Sequence, residues 1–330
     1  MQHALSMKTT RRILQMCAVT ALCLCAPLAL AQWLPTKPVR IIVPFPAGGI
    51  VDLMARTVTD KLAAGLGQAV IVEARTGAGG SIGTDAVAKA EPDGHTLLLA
   101  TISHVTLPAF GPLPWHPTRD FAGVAMLGQV PSLVVVPSTL APKTLREFVD
   151  YAKANPNQIN FVNGGNGTSQ TLGVLKLQKI TGIQLTSVGY KGYPPAMPDL
   201  MSGLVQFSMV PFGVAAPHVK SGKLRALAIA APSRNRQFPD VPTIAEAGFP
   251  DAPVISWYAW LAPAGTPKAA IERLNRELAK AMADPDVVAR IETVGGAALP
   301  PGTPGAVDAM LAREGDYWAK FVAETGLKAE

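Results

Sequence analysis

The sequence predicts an α/β protein of about two domains. Short, continuously apolar runs alternate with amphipathic helical stretches, glycine-bearing loops stand between them, and 330 residues leave room for two such domains at roughly 150 residues each. The hydrophobic fraction of 48% is high, yet beyond residue 31 no stretch approaches the roughly 20 apolar residues that span a bilayer. A polytopic membrane protein is therefore excluded. Low charge with regularly spaced apolar runs also argues against disorder.

Residues 1–31 read as an export leader. Lys8, Arg11 and Arg12 precede an apolar run over 13–30, and Ala29-Leu30-Ala31 offers a small-residue cleavage site before Gln32. Periplasmic location follows as the expectation. The leader holds Cys17, Cys23 and Cys25, so the mature chain has no cysteine and no disulfide or thiolate chemistry. It also holds three basic residues and no acidic ones, leaving 26 Lys and Arg against 23 Asp and Glu, a net charge of +3. With no basic cluster interleaved with aromatics, nucleic acid is not an expected partner.

The first series of elements runs strand 39–44, helix 50–64, strand 69–72, helix 81–90 and strand 96–100. Met54, Val58 and Leu62 lie on one stripe of the first helix, and Gly65 and Gly67 close it. A second series repeats this alternation, with strand 133–136, helix 144–154, strand 158–162, helix 168–180, a strand over 185–188, a helical segment 194–202, and strands 205–210 and 224–230. The proline-rich stretch 232–267 should run over the surface, with Trp257 and Trp260 as core or seam aromatics within it. Helices 268–283 and 304–325 finish the chain. The sheets are expected to be rich in parallel pairs, because strand and helix alternate.

Three glycine loops stand before helices: 44–49, 77–81 and 163–169. At the carboxyl ends of parallel strands, glycines let backbone N–H groups approach a ligand, and a helix amino terminus adds about half a positive charge. Together they suggest an anion cradle without a cation. Asp52, in the first turn of its helix, suits the dipole and can cap free N–H groups. The Gly79-Gly80-Ser81-Ile82-Gly83 run also satisfies the G-x-S-x-G pattern of acyl hydrolases, which makes an exported serine hydrolase using Ser81 the alternative. Its context is poor: residues 73–80 separate Ser81 from the strand, Ser81 reads as a helix N-cap, and the bases available are His218 or, less suited, His104 or His116. His104 reads as a polar rim residue. Neither dinucleotide nor phosphate-loop spacing is present, and scattered single histidines support no metal site or cofactor.

Across nearly the whole mature chain the sequence resembles the extracytoplasmic solute receptors of tripartite tricarboxylate transporters, the Bug family. The resemblance rests on Val43-Pro44-Phe45-Pro46-Ala47-Gly48-Gly49 with Asp52 and Ala55-Arg56, and on Gly77-Ala78-Gly79-Gly80 with Ile82-Gly83. It continues through Asp120-Phe121, Asn166-Gly167-Thr168-Ser169, Tyr190-Lys191-Gly192, Asp240-Val241-Pro242-Thr243 with Glu246-Ala247-Gly248, and residues 262–267. It implies a two-lobed type II periplasmic binding fold with a ligand cleft between lobes, and no enzymatic activity. Lobe 1 would take 32–130 and 231–330, lobe 2 131–230, with hinges near 128–133 and 227–231. The ligand would be a small di- or tricarboxylate or aromatic acid, and the partners the membrane subunits of a tripartite carrier. A monomer is expected, and a membrane sensor is an equally compatible partner.

Carried over by motif, the ligand contacts fall at Phe45, Ala47, Gly48, Gly49, Gly79, Gly80, Thr168 and Ser169, with Ser103, Asn163, Tyr190 and Phe212 as lining positions. Where many relatives carry His and then Glu in the helix after the third loop, this chain has Thr171 and Leu175. The pocket is thereby less charged, and Asn163 and Gln170 suit an amide, hydroxyl or aromatic acid.

Overall fold

The computed structural model describes residues 33–252 and 254–325, so the leader reading of 1–31 lies outside the described residues. The first lobe is built on a six-stranded mixed sheet. Strands β1 (Val39–Val43), β2 (Val70–Ala74) and β3 (Thr96–Thr101) are parallel, with β1 between the other two. Helices α1 (Ile50–Leu66) and α2 (Ser81–Ala88) make the crossovers. Met54, Val58 and Leu62 of α1 are wholly buried, as their spacing requires, and Gly67 closes the helix at φ 70° with its N–H on the Ala63 carbonyl.

The short turn α3 (Ser103–Thr106) leaves β3, and β4 (Phe121–Val130) follows. Between β4 and β3 lies β10 (Ser256–Pro263), antiparallel to both, and β11 (Ala297–Ala298) edges β4. The expectation that 232–267 runs over the surface thus fails for β10, whose eight residues are all buried in mid-sheet. A proline at its last position leaves the ladder intact.

The second lobe centres on β5 (Ser132–Pro137). Beyond β5 come α4 (Leu145–Ala154), β6 (Asn160–Asn163), α5 (Ser169–Thr181), β7 (Thr186–Gly189), α6 (Met197–Ser202), β8 (Ser208–Pro211), α7 (Phe212–Lys220) and β9 (Leu224–Ala230). Strands β8 and β9 flank β5 antiparallel, and β6 pairs β7 in parallel. A parallel bridge from Phe161 to Phe207 joins the two groups. Parallel pairing therefore holds for β1 to β3 and β6 to β7, and the other pairs are antiparallel. Ile244 and Ala252 remain in this lobe's core, and Thr243 bridges Ile229, so the packing keeps 243–252 with the second lobe. Helices α8 (Lys268–Met282), α9 (Pro285–Thr293) and α10 (Pro304–Thr325) close the chain.

The second core is organised around stacked aromatic rings: Phe148 of α4 lies on Phe207 with centroids 4.2 Å apart and planes 8° from parallel. Both are wholly buried. Phe148→Ala is expected to cost about 3–5 kcal/mol, the usual toll of a core aromatic deletion, read as a lower denaturant midpoint at an unchanged slope.

Candidate functional site

The first glycine loop joins β1 to α1. The Gly48 N–H donates to the Asp52 carboxylate at 3.0 Å, with Gly48 at φ +74°, and the Gly49 N–H donates to the Pro46 carbonyl at 3.1 Å. Asp52 is buried and its two oxygens also accept the Arg56 Nε at 3.0–3.1 Å. Gly49 caps α1 without a side-chain bond. The first-turn N–H groups of α1, which have no intrahelical partner, stand at the loop where Gly49, Ile50 and Val51 line a cavity.

The third loop joins β6 to α5 on the facing lobe. The Asn163 side chain organises it: Oδ1 accepts the Gly165 N–H at 2.9 Å and the Thr171 hydroxyl at 3.1 Å, while Nδ2 donates to Asn166 Oδ1 at 3.0 Å. The Thr168 side chain caps α5 by accepting the Thr171 N–H. Thr168, Ser169 and Gln170 line the same cavity. The second loop keeps Gly77, Ala78, Gly79 and Gly80 all at positive φ. A Cβ on Gly79 would lie 2.8 Å from the Asn166 carbonyl oxygen across the cleft. Only glycine permits that approach.

From the first lobe the cavity is also lined by Phe45, Thr101, Ser103, Ser256 and Tyr258, and from the second by Tyr193 and Val214. None of its lining side chains is a carboxylate, an ammonium, a guanidinium or an imidazole. Ser103 Oγ and Ser169 Oγ are buried and make no hydrogen bond. Tyr193 is buried with its hydroxyl near those of Thr168 and Thr171, and burial raises its pKa.

Of the residues proposed from sequence, Phe45, Gly49, Ser103, Thr168 and Ser169 meet around this cavity. Gly79, Asn163 and Tyr190 line a more open groove beside it. The Tyr190 hydroxyl donates to Asp199 at 2.7 Å, and its pKa is pushed up to about 12 by burial and by that carboxylate. Gly80 lies behind the Phe45 ring, while Ala47 and Gly48 are exposed on the outer turn. Phe212 is wholly buried against Phe238 and Gly295, and its neighbour Val214 reaches the cavity instead. Sequence reasoning did not reach Thr101, Tyr258 or Val214, because nothing local signals that β3, β10 and α7 converge here. Tyr193, which with Tyr190 flanks Lys191-Gly192 after β7, directly precedes the proline-started turn Pro194–Ala196 and lines the cavity.

Ser81 does not occupy a nucleophile's position. Gly80 is the N-cap of α2, so Ser81 is its first helical residue, and the Ser81 hydroxyl accepts the Trp115 indole N–H at 3.1 Å. His104 is no rim residue: it is buried, stacked on Trp115 at 5.1 Å, and its Nε2 donates to the Pro117 carbonyl at 2.7 Å.

Residues 54–302 match the family model described as the tripartite tricarboxylate transporter family receptor. The chain belongs to this receptor family. It is 38% identical over 301 residues to the protein BugT of Bordetella pertussis, covering 90% of this chain and 92% of BugT. The solved periplasmic binding protein BugD superposes on it with a TM-score of 0.85 at 32% identity, covering 90% of this chain and 100% of BugD. MatC of Rhodopseudomonas palustris, solved with bound malate, gives 0.82 at 33% identity over 87% of this chain and 99% of MatC. The receptor's fold is accordingly the two-lobed α/β fold of periplasmic binding proteins. Among the described residues no helix is long and apolar enough to cross a membrane.

Burial in the receptor's first core lowers the His104 pKa from 6.5 to about 4. The unfolded chain therefore binds a proton more readily than the folded one, and stability falls as pH drops below about 6.5, levelling off near 4. At about 1.4 kcal/mol per pH unit the loss approaches roughly 3 kcal/mol. His104→Phe, whichever way it shifts the melting temperature at pH 7, should flatten the profile between pH 6.5 and 4.

Proposed function

We propose that this chain is a periplasmic solute receptor that closes two lobes around a small carboxylate and delivers it to the membrane subunits of a tripartite carrier, without catalysis of its own. The observation that carries this reading is the pair Ser103 Oγ and Ser169 Oγ, one from each lobe, buried, unbonded and lining one cavity. A buried hydroxyl without a partner costs about 1–3 kcal/mol, and two on residues that line one cavity call for an acceptor. A carboxylate is such an acceptor. The first turns of α1, with 17 residues, and α5, with 13, add aligned N–H groups and dipole charge at the same walls. That MatC holds malate in the same fold supports a small organic acid. The lobes would hinge where the chain crosses between them, around 128–133 and beyond 227–231.

Two measurements test this. In a melt of residues 32–330 with mono-, di- and tricarboxylates and neutral sugars, an acid at 100 times its Kd should add about 2.7 kcal/mol of stability. Stabilisation by neutral sugars with none from any acid overturns the reading. Ser103→Ala and Ser169→Ala should each weaken binding about tenfold while leaving the ligand-free melting temperature unchanged or higher, since each removes an unpaired polar atom.

Affinity for an acid ionised throughout should also stay flat from pH 6 to 8. No cavity side chain changes charge there: burial raises the Tyr193 pKa, and adjacent His104, held at about 4, is neutral. Calorimetric titrations at several pH values would show it.

A further inference from the structure

Thr106 ends the turn α3 whose first residue, Ser103, faces the cavity. Its hydroxyl donates to the Gly167 carbonyl at 2.6 Å, crossing from the first lobe to the second, and its side chain is wholly inaccessible. The loop is shaped to receive it. Gly167 sits at φ +76°, and a Cβ added there would lie 2.6 Å from the Thr106 Oγ1 and 3.2 Å from the Leu107 side chain. Only glycine brings this carbonyl close enough to be reached.

The carbonyl belongs to the peptide group linking Gly167 to Thr168, the N-cap of α5. The next residue is Ser169, whose hydroxyl is unbonded in the cavity wall. One four-residue turn of the first lobe therefore presents Ser103 to the cavity and holds, through Thr106, the segment of the second lobe that presents Ser169. Neighbouring approaches across the cleft are tight but apolar or backbone: Gly79 against Gly165 and Asn166, and Pro46 against Gly192. The Thr106 bond is directional, and it needs no ligand.

We infer that Thr106 is a positioning residue that latches the closed form, setting affinity by slowing reopening without touching the solute. This rests on the two-lobed receptor reading. When the lobes part, the hydroxyl and the carbonyl both return to water, so the latch contributes at the level of one exchanged hydrogen bond, about tenfold in the ratio of closed to open. By raising the closed fraction in ligand-free protein it tightens binding by the same factor.

The mature chain has no cysteine of its own, which permits a direct test. Dyes are attached at Ile71→Cys in the first lobe and Leu204→Cys in the second, positions 48% and 65% exposed, and energy transfer is read in single molecules without ligand. Thr106→Val, which keeps the shape and loses the donor, should shift the ratio toward open about tenfold, and Thr106→Ser should restore it. Packing loss alone would lower the melting temperature of the valine variant and leave the transfer distribution in place. An unchanged distribution in Thr106→Val, or failure of serine to restore it, overturns the latch. With malate as probe, the dissociation rate of Thr106→Val should rise about tenfold at a constant association rate. If malate does not bind the wild type, the receptor reading fails for that acid, while the ligand-free distances still decide the latch.

Discussion

The Asp52 carboxylate accepts the Gly48 N–H, and the Asn163 amide oxygen accepts the Gly165 N–H. Each turn must pass from a strand end to a helix start within a few residues, leaving backbone donors that neither element satisfies. A side chain on the adjoining element supplies the acceptor in both cases. Asp52 reaches back from the first turn of α1, and Asn163 reaches forward from the end of β6. With the loop backbones fixed this way, the first N–H groups of α1 and α5 remain for the cavity. The shape of the cavity walls at these two turns thus depends on two side chains outside the lining.

An uncharged wall is the physical counterpart of that arrangement. Bringing an ammonium or guanidinium into the cavity would demand its desolvation, at a cost of several kcal/mol that only a well-placed partner returns. Helix dipoles and hydroxyl groups carry partial charge without that penalty, and the fold holds them in place. The charged pairs lie instead on the outside, as Asp52 with Arg56 shows: the guanidinium is half exposed while the carboxylate is buried. There the ion pair fixes a turn rather than a ligand.

Much of this was legible in the sequence because the relevant signals are local. The stripe of Met54, Val58 and Leu62 located α1, and the glycine clusters located the turns. What was not legible depends on distant chain. Strand β4 reads poorly because Gly123 and Gly128 interrupt it, yet an added Cβ at those positions would meet the Pro304 and Ala297 carbonyl oxygens at 2.7 and 2.6 Å. The glycines record close packing by α10 and β11, which no local pattern announces. Helix α7 was hidden by Pro217 within it, whereas α9 had a start signal in Asp284-Pro285 that could have been used. In the cavity, Thr168 and Ser169 stand in the third glycine loop, while Ser103 came as a lining position from the family resemblance. Tyr258 and Val214 come from elements that reach the cavity only through tertiary packing.

The division of donors between lobes bears on how a bound solute is released. The α1 first turn and Ser103 stand on one lobe, and Ser169, Gln170 and Tyr193 on the other. Micromolar binding corresponds to about 8 kcal/mol, and a wall of neutral donors assembles it from contributions of about 0.5–1.5 kcal/mol each. If the lobes separate with the solute on either one, roughly half of that remains, about 4 kcal/mol, which is millimolar. A single buried ion pair would concentrate the binding energy on one lobe and keep the solute there after opening. On the proposed reading, distributing it over neutral groups on two walls would make the lobe separation itself the affinity switch, so that whatever governs the separation would govern both capture and release.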